Sequence, residues 1–105
     1  MRILPTRPTI EALRLKRSEI LRVAQAHGAS NVRIFGSVAR GEDDADSDVD
    51  VLVDMAPEPT GFAYFGRLDD LRCALSDLLG RRVDVQDSGA LRQMRDRVLG
   101  EAIPL

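Results

Sequence analysis

Apolar positions change period along this chain, and each period predicts an element. Over residues 9 to 27, Ile10, Leu13, Ile20, Leu21 and Ala24 recur at helical spacing with charged residues between them. That pattern predicts one helix, opened by Pro8 and Thr9 and stopped by Gly28. "NVRIF" (31 to 35) reads as a short strand, "GSVARG" (36 to 41) as a turn that starts a helical turn, and "EDDADS" as a polar loop. In "DVDVLVD" (48 to 54) aspartate and valine alternate, which is the period of a strand with one face in a core. Two prolines and a glycine make "APEPTG" (56 to 61) a loop. Residues 62 to 79 form the clearest helix, with Phe65, Leu68, Leu71, Leu75, Leu78 and Leu79 on one stripe and Gly80 at its end. "RRVDVQ" (81 to 86) predicts a third strand. Ser88 suits the N-cap of a last helix over about 89 to 99, with Leu91, Met94 and Val98 inward. The tail "EAIPL" is apolar enough to pack. The order α-β-(short α)-β-α-β-α gives an α+β class, a small mixed β-sheet backed by helices.

The 105 residues suit one domain over 1 to 105 with a single hydrophobic core, and an apolar share of 44% excludes a disordered chain. No run approaches the ~18 apolar residues of a membrane span. The first residues, "MRILPTRPTIEALRL", lack a signal peptide's apolar region and cleavage site. Cys73 is the only cysteine, so no internal disulfide forms, which fits a reducing cytoplasm. One Cys and one His do not make the usual zinc site. The net charge of −2 is unevenly spread, with seven acidic side chains between 42 and 54. Of the 15 basic residues, all but Lys16 are arginine. Codon bias and solvated helix faces explain them better than a nucleic-acid patch, so neither direct nucleic-acid binding nor a membrane is expected.

The acidic strand carries the chemistry. Residues two apart on a strand share a face, so Asp48 and Asp50 point one way and Val49, Val51 and Val53 the other. Two carboxylates roughly 6–7 Å apart repel one another unless a cation lies between them, and hard oxygen ligands suit Mg²⁺. Asp84 repeats the apolar-Asp-apolar pattern in "RVDVQ" and joins the same ion site if its strand is a neighbour. Three carboxylates around one or two Mg²⁺ ions are what two-metal phosphoryl or nucleotidyl transfer requires. Gly36 lets a ligand approach the backbone, and Ser37 opens a helical turn whose free N–H groups favour an anion. A phosphate chain is therefore expected at Gly36 and Ser37. Arg40 can pair with phosphate or with Asp46 or Asp48, the structural pairing being favoured.

These residues resemble a known family. "GSVARGEDDADSDVDVLV" looks like the signature of the minimal nucleotidyltransferases of the DNA polymerase β superfamily. "RRVDVQDSGAL" resembles that family's third-aspartate strand, and "LGEAIPL" its usual ending. The resemblance implies the polymerase β-like nucleotidyltransferase fold, Mg²⁺ and ATP. It places Gly36 and Ser37 at the nucleotide phosphates and Asp48, Asp50 and Asp84 at the metals. It further implies an antitoxin that transfers AMP to a tyrosine of a partner HEPN ribonuclease toxin. Asp84 is then the natural group to help deprotonate the acceptor hydroxyl.

Two other readings compete with this one: an antitoxin that neutralises its partner by binding alone, and a nucleotidyltransferase acting on RNA or a small molecule. A chain this short leaves no room for a separate acceptor-binding domain, so the acceptor is expected to bring its own docking surface. Phe62, Tyr64, Ile103 and Leu105 lie near chain breaks and are candidate docking positions, although packing into the domain's own core is favoured for each. Tyr64, the only tyrosine, is a conceivable self-modification site, with packing again favoured. His27 is expected to meet the helix dipole at a helix end, and Cys73 is given no role.

Overall fold

A computed structural model describes residues 9–44, 46–90 and 100–105. The elements are α1 (Thr9–Leu15), α2 (Arg17–Ala26), β1 (Ala29–Phe35), α3 (Gly36–Arg40), β2 (Val49–Met55), α4 (Phe62–Leu79), β3 (Val83–Asp87), a 3₁₀ turn (Ser88–Ala90) and β4 (Ile103–Pro104). The strands form one sheet in the order β3-β2-β1-β4. β1 is antiparallel to β2 and β4, while β2 and β3 are parallel with α4 as the crossover. The α+β class and the mixed sheet backed by helices are therefore as expected.

One face of the sheet carries the core. Val32, Ile34, Val49, Val51, Val53, Val83 and Val85 pack there with Leu13, Ile20, Ala24, Leu71 and Leu75 from the helices. At roughly 1.5–3 kcal/mol for each fully buried aliphatic side chain, this layer is the main favourable term of the fold. The opposite face keeps Asp50 and Asp84.

Three elements differ from their sequence expectation. The helix over 9 to 27 breaks at Lys16, which leaves helical geometry at φ −102° and ψ 15°. Its ammonium reaches across to donate to the Leu78 carbonyl at 3.1 Å, one of the last four carbonyls of α4, which lack helical partners. The stripe of α4 loses one member: Leu71 and Leu75 are buried and Leu68, Leu78 and Leu79 pack against the core, but Phe65 is 64% exposed. Its ring instead meets the edge of Tyr64, with centroids 5.2 Å apart. The tail supplies a fourth strand, where Ile103 pairs with Ile34 and the Leu105 N–H donates to the Val32 carbonyl at 3.1 Å. Ile103 and Leu105 therefore pack on their own sheet, whereas Phe62 is 95% exposed. The expected helix core of Leu91, Met94 and Val98 lies outside the described residues.

The end of the sheet away from Asp50 is pinned by a polar knot. β1 bulges between Ser30 and Arg33, and Asn31 takes φ 53°, a left-handed value asparagine tolerates. Asn31 Nδ2 and Arg33 Nη2 donate to the two Asp54 oxygens at 3.0 and 2.6 Å. Ser88, buried in the 3₁₀ turn, adds its hydroxyl to Asp54 Oδ1. Burial pushes the Asp54 carboxyl up, but the donors from Ser88, Asn31 and Arg33 outweigh it and leave it below the usual carboxylate range. His27 closes α2, its Nδ1–H donating to the Val23 carbonyl at 2.8 Å.

Candidate active site

The turn from β1 into α3 brings backbone against β2. Phe35 is the register partner of Asp50. Gly36 follows at φ 71°, a conformation costly for any residue with a side chain. A β-carbon at Gly36 would overlap Asp50 Oδ2 and stand 3.1 Å from Asp50 Cγ. The glycine therefore turns the chain and also lets a carboxylate stand directly against the main chain. Ser37 comes next, in a five-residue helix anchored by buried Val38.

On β3, Asp84 is the register partner of Asp50. In a sheet, register partners on adjacent strands lie on the same face, here with their backbones roughly 4.8 Å apart. The flanking valines are buried on the other face. Burial pushes the Asp50 carboxyl above its ordinary range, Asp84 and Asp48 push it further, and Arg40 pulls the other way. Gln86, two residues beyond Asp84 on the same face, donates its Nε2–H to Asp84 Oδ2 at 3.0 Å.

Asp48 is placed differently. It lies one residue ahead of β2, exposed, with Oδ1 paired to Arg82 Nε at 3.0 Å. Among the described residues, no three His, Cys, Asp or Glu side chains are gathered around one point where an ion could sit. The structure brings Asp50 and Asp84 together, while Asp48 is drawn to Arg82. Arg40 does not pair with Asp46 or Asp48. Its Nε donates to Glu42 Oε1 at 2.6 Å and its Nη1 to Glu101 Oε2 at 3.4 Å.

The loop before Asp48 is shaped by its own acids and by two arginines. Asp44 Oδ1 accepts from the Asp46 N–H at 2.9 Å and from the Ser47 hydroxyl at 3.1 Å. Arg81 Nη2 donates to the carbonyls of Asp44 at 3.0 Å and Ser47 at 2.6 Å, and its Nη1 donates to Thr9 Oγ1 at 3.1 Å. The sequence reading assigned neither Arg81 nor Arg82 a place at the site. The available signal was an arginine doublet abutting the Val-Asp-Val strand.

The donor set fits a hard divalent cation. It consists of carboxylate oxygens on one face, two of them on paired strands, where burial and then the charge of Asp84 raise the proton affinity of Asp50. Beyond the site, Tyr64 donates its hydroxyl to Asp87 Oδ2 at 2.6 Å, so it packs against the end of β3. Cys73 is exposed. No helix of the described residues is long and apolar enough to cross a membrane.

Residues 17–101 match the family model described as the nucleotidyltransferase domain. A protein of Methanocaldococcus jannaschii, provisionally named as the protein adenylyltransferase MJ0435, is 34% identical over 86 residues, covering 81% of this chain and 88% of that protein. A solved structure provisionally assigned as a minimal nucleotidyltransferase superposes with a TM-score of 0.77 at 45% identity, over 90% of this chain and 94% of the other. A crystal structure of a toxin-antitoxin with AMP-PNP shares the fold, with a TM-score of 0.66 at 19% identity, over 83% of this chain and 69% of the other. Together with the Gly-Ser turn set against the paired aspartate strands, these matches show that the chain belongs to the nucleotidyltransferase family and is a nucleotidyltransferase.

Proposed function

We propose that this nucleotidyltransferase, acting as one domain in the cytoplasm, uses Mg²⁺ to transfer AMP from ATP to a tyrosine hydroxyl of a partner HEPN ribonuclease toxin, and so serves as its antitoxin. The observation that carries this reading is the pairing of Asp50 with Asp84 on adjacent strands, facing the backbone of Gly36. The name of the M. jannaschii relative supports a protein acceptor, and the toxin-antitoxin structure with its bound ATP analogue supports a toxin partner.

Each residue has a role on this reading. Asp48, Asp50 and Asp84 would hold the ion. When bound, Mg²⁺ supplies charge neutralisation for the triphosphate and activation of the attacking oxygen. Gly36 leaves its backbone open to the phosphates, and Ser37 offers them a hydroxyl donor. Asp84, oriented by Gln86, accepts the proton of the acceptor hydroxyl. Arg40, held by Glu42 and Glu101, shapes the turn and lowers the charge burden on Asp50.

The test begins by seeking, in the gene next to this chain's own, a ribonuclease with an Arg-x4-His motif. It is incubated with this protein, ATP and Mg²⁺ and then analysed by mass spectrometry. The expected result is AMP on a tyrosine of the ribonuclease, abolished by EDTA. AMP found only on RNA or a small molecule would overturn the proposal, as would no transfer at all.

A further inference from the structure

Arg82 stands beside the ion-holding half of the site, just ahead of β3 and across β2 from the Gly36–Ser37 turn. Its main chain is fixed, because its carbonyl accepts the Val49 N–H at 2.9 Å where β2 begins. Its side chain is 77% exposed, with Nε on Asp48 Oδ1 at 3.0 Å and Nη2 donating to the Asp46 carbonyl at 2.9 Å. The pair is thus made at a set position but in water, where an ion pair is weak and exchanges partners easily.

Two cations compete for Asp48 Oδ1. An ion that takes this oxygen deprives the guanidinium of its acceptor and also places a second positive charge beside it. A triphosphate sharing that ion reverses the balance, because its oxygens offer the planar guanidinium a new anionic partner. We propose that Arg82 couples the two ligands. It opposes a divalent ion that arrives alone and releases Asp48 when a nucleotide arrives with it, so that ion and nucleotide bind with positive cooperativity. By linkage the effect is reciprocal. The inference rests on the reading of Asp48 as an ion ligand.

The experiment titrates Mn²⁺ by electron paramagnetic resonance of the free ion, with and without AMP-PNP, on the wild type, Arg82→Ala, Asp48→Asn and the double variant. With Arg82→Ala, Mn²⁺ alone binds about two- to fivefold tighter, the range an exposed ion pair spans, and the gain conferred by AMP-PNP shrinks by a similar factor. In the Asp48→Asn background, Arg82→Ala changes neither quantity. Unchanged or weaker binding of Mn²⁺ alone by Arg82→Ala overturns the coupling while leaving the ion site standing. A wild type that takes up no Mn²⁺ with or without AMP-PNP overturns the ion site itself.

Discussion

Asp50 Oδ2 occupies the position that a β-carbon on Gly36 would need. Gly36→Ala therefore adds a steric overlap to a left-handed backbone, at a cost of about 1–3 kcal/mol. Urea unfolding should show a lower midpoint with an unchanged slope. Calorimetry should show nucleotide uptake lost even where the variant is folded. An alanine variant with wild-type stability would contradict this geometry.

Tyr64 is the sole tyrosine, so ultraviolet absorbance of the phenolate reports its titration directly. Burial, then the hydrogen bond to Asp87 and its charge, push the phenol from 10.0 up to about 12. The folded value is raised, so its stabilising contribution is complete below pH 10.0 and is lost as pH climbs toward about 12. Asp87→Asn is expected to bring the absorbance midpoint back toward the ordinary phenol value. A midpoint that stays put would rule out Asp87 as the partner.

Asp54 predicts the opposite pH dependence. Its donors outweigh burial and hold its carboxyl low, so its contribution is present above the ordinary carboxylate value and fades as pH falls through the depressed one. Asp54→Asn takes the charged partner from Arg33, whose side chain is only 12% exposed. We expect a loss of about 1–2 kcal/mol at neutral pH, with a shallower decline in acid, read from denaturation series across pH.

Asp50→Asn should separate stability from activity. It removes a half-buried carboxylate opposed by Asp84 and Asp48, so thermal unfolding should move up by a few degrees. Transfer of AMP should fall by about 10²-fold or more. Adding Asp48→Asn then distinguishes catalysis from occlusion. If the double variant still binds the toxin but no longer protects cells, neutralisation depends on catalysis; continued protection would favour binding alone.

Legibility in the sequence followed the range of the forces involved. The alternation of Val49, Val51 and Val53 with Asp50 announced both the strand and its acidic face, because burial and exposure repeat every second residue. The break at Lys16 had no glycine or proline to mark it. Lys16 there reaches for Leu78, a partner on another helix. β4 is only two residues long and includes Pro104, too short for any period to register. The same holds at the site. Gly36 and Ser37 are read from a local turn, whereas the bond from Arg82 to Asp48 joins residues remote in sequence and depends on the parallel pairing of β2 with β3.

Arg81 joins three separate stretches of the chain at one side chain. One guanidinium grips the carbonyls of Asp44 and Ser47 and the hydroxyl of Thr9, while its own backbone leads into the strand that bears Asp84. The acidic loop and that strand are therefore tied at a single side chain, so that Arg81→Ala would release the carbonyls of Asp44 and Ser47 and the Thr9 hydroxyl in one substitution.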